Sequence, residues 1–397
     1  MKTPGRVAIV HDYLNQYGGA ERVLEDIHEL YPDAPVFVAI YDPDAMPDAY
    51  RSWDIRPSWM QSLPGWRRLF RSFFPLYPSA FESFDLTNYD LIISSSSGYA
   101  KGIIPAPDAV HVCYCHTPMR FAWRTEDYLQ RESVGGLTSR IVTLILPWLR
   151  TWDVVTATRV DAFIANSGVV AQRIRRYYGR EAVVIPPPVD LPPYEPVSSE
   201  EFYLTGGRLV PYKRIDVAVR ACTALRLPLV VFGDGRARAD LEAIAGPTVQ
   251  FVGYVDEPEL RDLYRRCRAY ITAADEDAGI QPVEAMAAGR PVIGYAAGGV
   301  LQSVIEDRTG MFFHEQDAAA LAVALAASRY REWDADAIRA HAEQFSRERF
   351  REQLREAIAA AISQRHGSGA SGTPAGQPGM IQLARRPGVR STRPASE

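Results

Sequence analysis

Short β-branched runs alternate with amphipathic helical segments along this chain, in two series separated by a proline-rich break. The first series holds RVAIV at Arg6, PVFVAI at Pro35, DLIISS at Asp90, AVHVCYC at Ala109, DAFIANS at Asp161 and AVVIP at Ala182. The second holds EFYLTG at Glu201, PLVVFG at Pro228, VQFVGY at Val249, AYITA at Ala269, RPVIG at Arg290 and GMFF at Gly310. Between the runs lie segments such as AERVLEDIHELY and PELRDLYRRC. Strands alternating with helices demand parallel sheets with crossover connections. The expected fold is α/β, with two doubly wound parallel-sheet domains at 1–185 and 201–345. The linker at 186–200 carries prolines that fix φ and resist both helix and sheet. A helix at 346–365 follows, and the Gly/Ser/Pro-rich stretch at 366–397 is expected to be disordered.

Composition narrows the function classes. A chain of 397 residues, 47% apolar and 23% charged, is globular and too long for one ordinary core. A formal net charge of −4 argues against a duplex nucleic-acid binder, and no nucleic-acid partner is expected. The four cysteines, Cys113, Cys115, Cys222 and Cys267, lack disulfide or zinc spacing and read as core thiols. The N-terminal MKTPGRVAIVHDYL has no signal-peptide pattern, and the apolar IVTLILPW at Ile141 is too short to span a bilayer. A cytoplasmic protein is expected, meeting a membrane only at its surface.

One surface segment bears on that last point. Ser58–Phe81 interleaves Trp66, Phe70, Phe73 and Phe74 with Arg67, Arg68 and Arg71. Both a flap packed on the first sheet and a stretch lying in a membrane interface fit that pattern. Stacking of single-stranded nucleic acid needs further basic tracts, which are missing.

The stretch YITAADEDAGIQPVEAMAAGRPVIG, from Tyr270, concentrates the chemistry. In an open parallel sheet, ligands sit beyond the carboxyl ends of the strands. Asp275, Glu276 and Asp277 therefore fall at a ligand crevice, followed by Ala278, Gly279 and Ile280. Pro282 marks a first helical turn, and a helix N-terminus beside glycine suits a phosphate. Glu284 lies close to the same place, and a carboxylate near a phosphate site is best used on sugar or ribose hydroxyls. Taken alone, the two glutamates also fit a solvated loop acid and a dipole-stabilising acid. TGGRLVPYKRID supplies Gly207, Arg208 and Lys213 at the end of another strand of the same half. Two cations and a backbone cradle make a diphosphate clamp that needs no metal.

These motifs resemble the retaining GT-B glycosyltransferases of family 4 (group 1). The resemblance is carried by EDAGIQPVE followed by AMAAGRPVIG, by GRLVPYKRID and VVFGDGRARADLE, and by HDYLNQYGGAERV and CHTPMRFAW in the first half. It covers about residues 5–365 and is nearest to mannosyltransferase-like members of bacterial surface polysaccharide assembly. It implies two Rossmann-like domains facing across a cleft, with the last helix crossing back to the first domain. It also implies a nucleotide-sugar donor, with GDP-mannose favoured, and a glycan or polyprenyl-linked acceptor. By the same resemblance Glu276 contacts the transferred sugar, Glu284 the ribose, and Arg208 and Lys213 the diphosphate. His116 reaches the sugar from the opposite domain, and Gly18 and Gly19 admit phosphate or acceptor to the backbone. Read without the family, His116 fits a ligand-facing residue and a buried structural histidine about equally. Ala278 stands where the family usually carries Phe, and Gln302 where Glu is more common.

Other readings have less support. FGDGRARAD lacks the third glycine of a dinucleotide fingerprint. Asp-x-Asp occurs at Asp42, Asp275 and Asp334, yet the clamp already supplies positive charge, so no cofactor and no obligatory metal are expected. A nucleotide-sugar epimerase or a non-catalytic nucleotide-sugar-binding protein are the alternatives to a transferase.

Overall fold

A computed structural model describes residues 5–123, 136–194 and 197–370, with side chains for 5–123, 143–194 and 197–366. The first sheet contains β1 (Val7–His11), β2 (Val36–Val38), β3 (Ile55–Pro57), β4 (Leu91–Ser96), β5 (Val110–Cys115), β6 (Ala162–Ala165) and β7 (Ala182–Val184). Its strand order is β3-β2-β1-β4-β5-β6-β7, and every ladder is parallel. The second sheet contains β8 (Tyr203–Gly206), β9 (Leu229–Phe232), β10 (Val249–Gly253), β11 (Ala269–Thr272), β12 (Val292–Tyr295) and β13 (Gly310–Phe313). Its order is β10-β9-β8-β11-β12-β13, again all parallel. The chain is two doubly wound α/β sheets, as the alternation of runs and stripes implies.

Parallel strands with both faces covered read as nearly continuous apolar runs, because alternate residues enter two different cores. In the first sheet Ile9, Val36 and Ile93 enter one core, while Ala8, Val10 and Ile92 enter the other. The second sheet divides in the same way, with Val231 and Ile271 on one face and Leu204 and Tyr270 on the other. The thiols of Cys113, Cys115, Cys222 and Cys267 are all free and buried.

The C-terminal helix spans Arg347–Ala370. It lays Phe350, Leu354, Ile358 and Ala361 into the core of the first sheet, a one-faced helical stripe. Arg347 and Arg351 both pair with the fully buried Asp26, at 2.9 and 2.6 Å. Where this helix begins, the backbone N–H of Val189 in the linker donates to the Phe345 carbonyl at 2.9 Å, so the two crossings between domains run side by side.

Two local features differ from the sequence reading. The helix continues past Arg365 to Ala370, since a ladder once formed adds one bond per residue. The rest of the expected tail lies outside the described residues. The edge strand β3 was not foreseen. It is three residues ending in Pro57, a residue confined to edges because it cannot donate to a ladder. Ser58–Phe81 is built as a flap on the first sheet, with a 3-10 turn at Trp59–Ser62, a short helix at Trp66–Leu69 and another at Tyr77–Glu82. Met60, Tyr77 and Phe81 are buried there, with Trp66, Phe70, Phe73 and Phe74 packed over them.

Candidate active site

Each sheet reverses its winding once, between β1 and β4 in the first and between β8 and β11 in the second. Such a reversal opens a crevice beyond the carboxyl ends of the strands. The loops after β8 and β11 carry the clustered acids and cations, and the loops after β1, β4 and β5 face them.

On the C-terminal side, Lys213 Nζ lies 3.2 Å from Glu276 Oε1 and 3.0 Å from Gln281 Oε1. Arg208 donates from Nη2 to the Tyr212 hydroxyl at 3.2 Å. Gly207 adopts φ 103°, and a Cβ there would come within 2.8 Å of the Gln281 amide, so only glycine brings this backbone against the cluster. Gly279 at φ 65° turns the chain into the helix Ile280–Ala287, whose first turn no side chain caps. The Glu276 carbonyl accepts from the Gly299 N–H at 2.7 Å, and a Cβ on Gly298 would meet that same carbonyl at 2.2 Å. Gly298 and Gly299 therefore hold the backbone of Glu276. Ala278 packs against the Gly299 backbone.

The other acids are already engaged across the cleft. Asp277 sits between two arginines of the N-terminal domain, pairing with Arg120 and with Arg173 at 2.5 Å. Burial pushes its carboxyl up, but the two guanidinium groups outweigh that and hold it below its ordinary value. Asp277 was expected to face the donor; instead its carboxylate ties the domains together. Glu284 accepts from Arg22 Nη1 at 2.7 Å and from the buried Tyr264 hydroxyl at 3.1 Å. Gln302 accepts from the Gly168 N–H at 3.0 Å, and a Cβ on Gly19 would lie 2.9 Å from the Ile280 side chain. Gly19 is thus where the first domain touches the second. Gly18 is the extended residue before the helix Gly19–Leu30.

His116 follows β5 and is half-buried. Its Nε2 is 2.8 Å from Ser95 Oγ. Burial, reinforced by the neighbouring His11, pushes it down to about 3, while Asp277 across the cleft pulls the other way. Behind it, Asp12 accepts backbone N–H bonds from Ser97, Tyr99 and Ala100 at 2.5, 2.8 and 2.7 Å, which ties the loop after β1 to the loop after β4.

The structure brings Arg208, Lys213, Glu276, Gly207, Gly279 and Ile280 together on one side, with His116, Gly18 and Gly19 opposite. Sequence reasoning missed Arg22, Arg120 and Arg173. Arg120 stands in CHTPMRFAW, a motif from which only His116 was taken as a site residue. Arg173 is one of several arginines on its helix, and no spacing distinguishes it. Among the described residues no group of three or more His, Cys, Asp or Glu could hold a metal.

Residues 17–192 match the model of Glycosyltransferase Family 4, and residues 192–329 that of Glycosyl transferases group 1. A GDP-mannose-dependent alpha-mannosyltransferase of Mycobacterium tuberculosis is 35% identical over 106 residues, 26% of this chain and 28% of that one. A D-inositol 3-phosphate glycosyltransferase of Rhodococcus erythropolis is 31% identical over 271 residues, 58% of this chain and 61% of that one. The aligned parts thus span less than two thirds of either relative. Among solved structures, Anabaena HepE with UDP and glucose superposes with a TM-score of 0.64 at 19% identity, covering 89% of this chain and 99% of that one. Sucrose-phosphate synthase from Thermosynechococcus elongatus gives 0.63 at 19% identity, with 93% and 100% covered.

Proposed function

The chain belongs to the group 1 and family 4 glycosyltransferases, and we propose that within them it moves a sugar from a nucleoside diphosphate donor to a hydroxyl acceptor with retention of configuration. The observation that carries this reading is the cluster of Lys213, Glu276 and Gln281 at a topological switch point, beside an uncapped helix N-terminus. In it Arg208, Lys213 and the first turn of Ile280–Ala287 take the diphosphate. As the glycosidic bond breaks, negative charge grows on the leaving phosphate, and preorganised cations there stabilise it without a metal. Glu276 orients the sugar hydroxyls and supports the positive character of an oxocarbenium-like transition state. Glu284 takes the ribose, and His116 contacts the sugar from the other domain. The acceptor attacks from the departing face and gives its proton to the leaving phosphate. Cleft closure excludes water, which would otherwise hydrolyse the donor.

GDP-mannose is the favoured donor, supported by the mannosyltransferase likeness over 106 residues. The favoured acceptor is a lipid-linked glycan. Exposed Trp59, Leu69 and Leu76 in Ser58–Phe81 support docking at a membrane surface. Among the described residues no helix is long and apolar enough to cross a membrane.

The test is incubation of the purified protein with GDP-mannose or UDP-glucose and a lipid-linked glycan extract, followed by proton NMR of the product anomer. Transfer with the donor's anomeric configuration kept supports the proposal. Free sugar or an epimerised donor as the sole product contradicts it.

A further inference from the structure

His116 is joined to the interior by a chain of buried polar groups that the expected chemistry does not use. In register, His11 of β1 is paired with Ser95 of β4, and Ser95 with Tyr114 of β5. His116 lies two residues beyond Tyr114, so the side-chain period of two returns it to the same sheet face. His11 Nδ1 is 3.0 Å from Ser95 Oγ, and Ser95 Oγ is 2.8 Å from His116 Nε2. At the inner end, His11 Nε2 lies 3.5 Å from Glu21 Oε1, and both residues are buried. Glu21 stands in the first turn of Gly19–Leu30, where the helix dipole favours its negative charge.

Each neutral imidazole has one donor and one acceptor nitrogen, and a serine hydroxyl has one proton to give. With the serine proton kept within the chain, there are two proton orders, one the reverse of the other. An ionised carboxylate only accepts, so Glu21 favours the order in which His11 carries its proton on Nε2. His11 Nδ1 then accepts from the Ser95 hydroxyl, and Ser95 Oγ in turn accepts from His116 Nε2–H. The remaining nitrogen, His116 Nδ1, is left with a lone pair. No described residue hydrogen-bonds that nitrogen.

We propose that Glu21, His11 and Ser95 are positioning residues that lock His116 in its Nε2–H tautomer, so that Nδ1 faces the cleft as an acceptor for a hydroxyl proton of the donor sugar. The sugar-facing role rests on the function proposed above; the tautomer does not. Burial keeps His116 neutral well below neutral pH. A neutral acceptor at this position selects a sugar that presents a hydroxyl there and rejects one that lacks it, because the polar nitrogen would then be buried without a partner.

The test is two-bond proton–nitrogen correlation NMR on the full chain labelled at the ring nitrogens of its seven histidines. The His116 signals are identified by their loss in His116→Gln. In the unliganded protein, Nε2 is expected at a protonated-nitrogen shift and Nδ1 at an unprotonated one. Ser95→Ala should mix the two tautomers, and Ser95→Thr, which keeps the hydroxyl, should restore the wild-type pattern. A wild-type Nδ1–H tautomer, a doubly protonated His11 that reverses the chain, or a His116 pattern unchanged in Ser95→Ala would each overturn the lock. If Ser95→Ala does not fold, the wild-type spectrum alone decides the tautomer. A bound nucleotide sugar should move the Nδ1 signal. A signal that stays put would overturn the acceptor role while leaving the transferase reading intact.

Discussion

Arg22, in the first helix of the N-terminal domain, donates from Nη1 to Glu284 Oε1 at 2.7 Å, although 262 residues separate them. Glu284 is thereby both the proposed ribose acceptor and a strut across the cleft. The two roles come apart on mutation. Glu284→Ala should weaken nucleoside diphosphate binding by about 2 kcal/mol, roughly thirty-fold, the scale of a hydrogen bond to a charged group. Arg22→Ala removes only the strut, which is partly solvent-screened, and should leave affinity within about three-fold. Titration calorimetry reads both; equal losses would mean that Glu284 serves the strut alone.

Asp277 makes the stronger crossing, with Arg120 and Arg173 both on its carboxylate. Removing one partner of a buried pair typically costs about 3–5 kcal/mol, because the remaining charges stay desolvated. Opening the cleft relieves that cost by returning both arginines to water. Asp277→Asn should therefore enlarge the radius of gyration of the unliganded protein in small-angle X-ray scattering. An unchanged scattering curve would show that this cluster does not hold the domains together.

Glu276 carries a different expectation, since its proposed contacts are with the sugar and not with the nucleotide. Glu276→Gln should lower kcat by about 10²–10³, the range for losing one charge-stabilising group in a transition state. Nucleoside diphosphate affinity should stay within about three-fold of wild type, because Lys213 retains Gln281. Steady-state kinetics together with calorimetry separate the two. A variant as fast as wild type removes Glu276 from the mechanism.

His111 makes stability depend on pH. It is fully buried between Ser94 Oγ at 2.8 Å and the Arg159 carbonyl at 3.2 Å, and burial pushes it down to about 4. The unfolded chain takes up that proton near pH 6.5, whereas the folded chain resists it until about 4. Stability from this group is thus complete above that window and falls as pH drops through it, by up to about 1.4 kcal/mol per pH unit. His116 adds the same sign. His111→Gln should flatten the slope between neutral pH and about pH 5 in urea unfolding. An identical slope would contradict the assignment.

Much of the fold is legible because β-branched runs and helical stripes alternate within each half of the chain. The runs at Arg6, Asp90 and Ala269 all become strands, whereas β3 is too short and proline-bound to stand out. Lys213, Glu276 and Gly279 were legible because local spacing places them at strand ends and a helix start. The partners of Asp277 and Glu284 were not, since Arg120 and Arg22 lie 157 and 262 residues away and meet them only when the two sheets face each other. Ser95 was hidden inside the run SSSS, which reads as the polar end of a strand. Only the register of β1, β4 and β5 shows that this serine, among four, joins two histidines.

The proposed site is a metal-independent clamp for a nucleoside diphosphate, and a thermal-shift panel tests it. GDP, UDP, GDP-mannose, UDP-glucose and NAD are each added with and without EDTA, to wild type and to Lys213→Ala. The expected outcome is a raised Tm with one nucleoside diphosphate and its sugar, unaffected by EDTA and lost in Lys213→Ala. Stabilisation by NAD alone, or by a diphosphate only when metal is present, would contradict it.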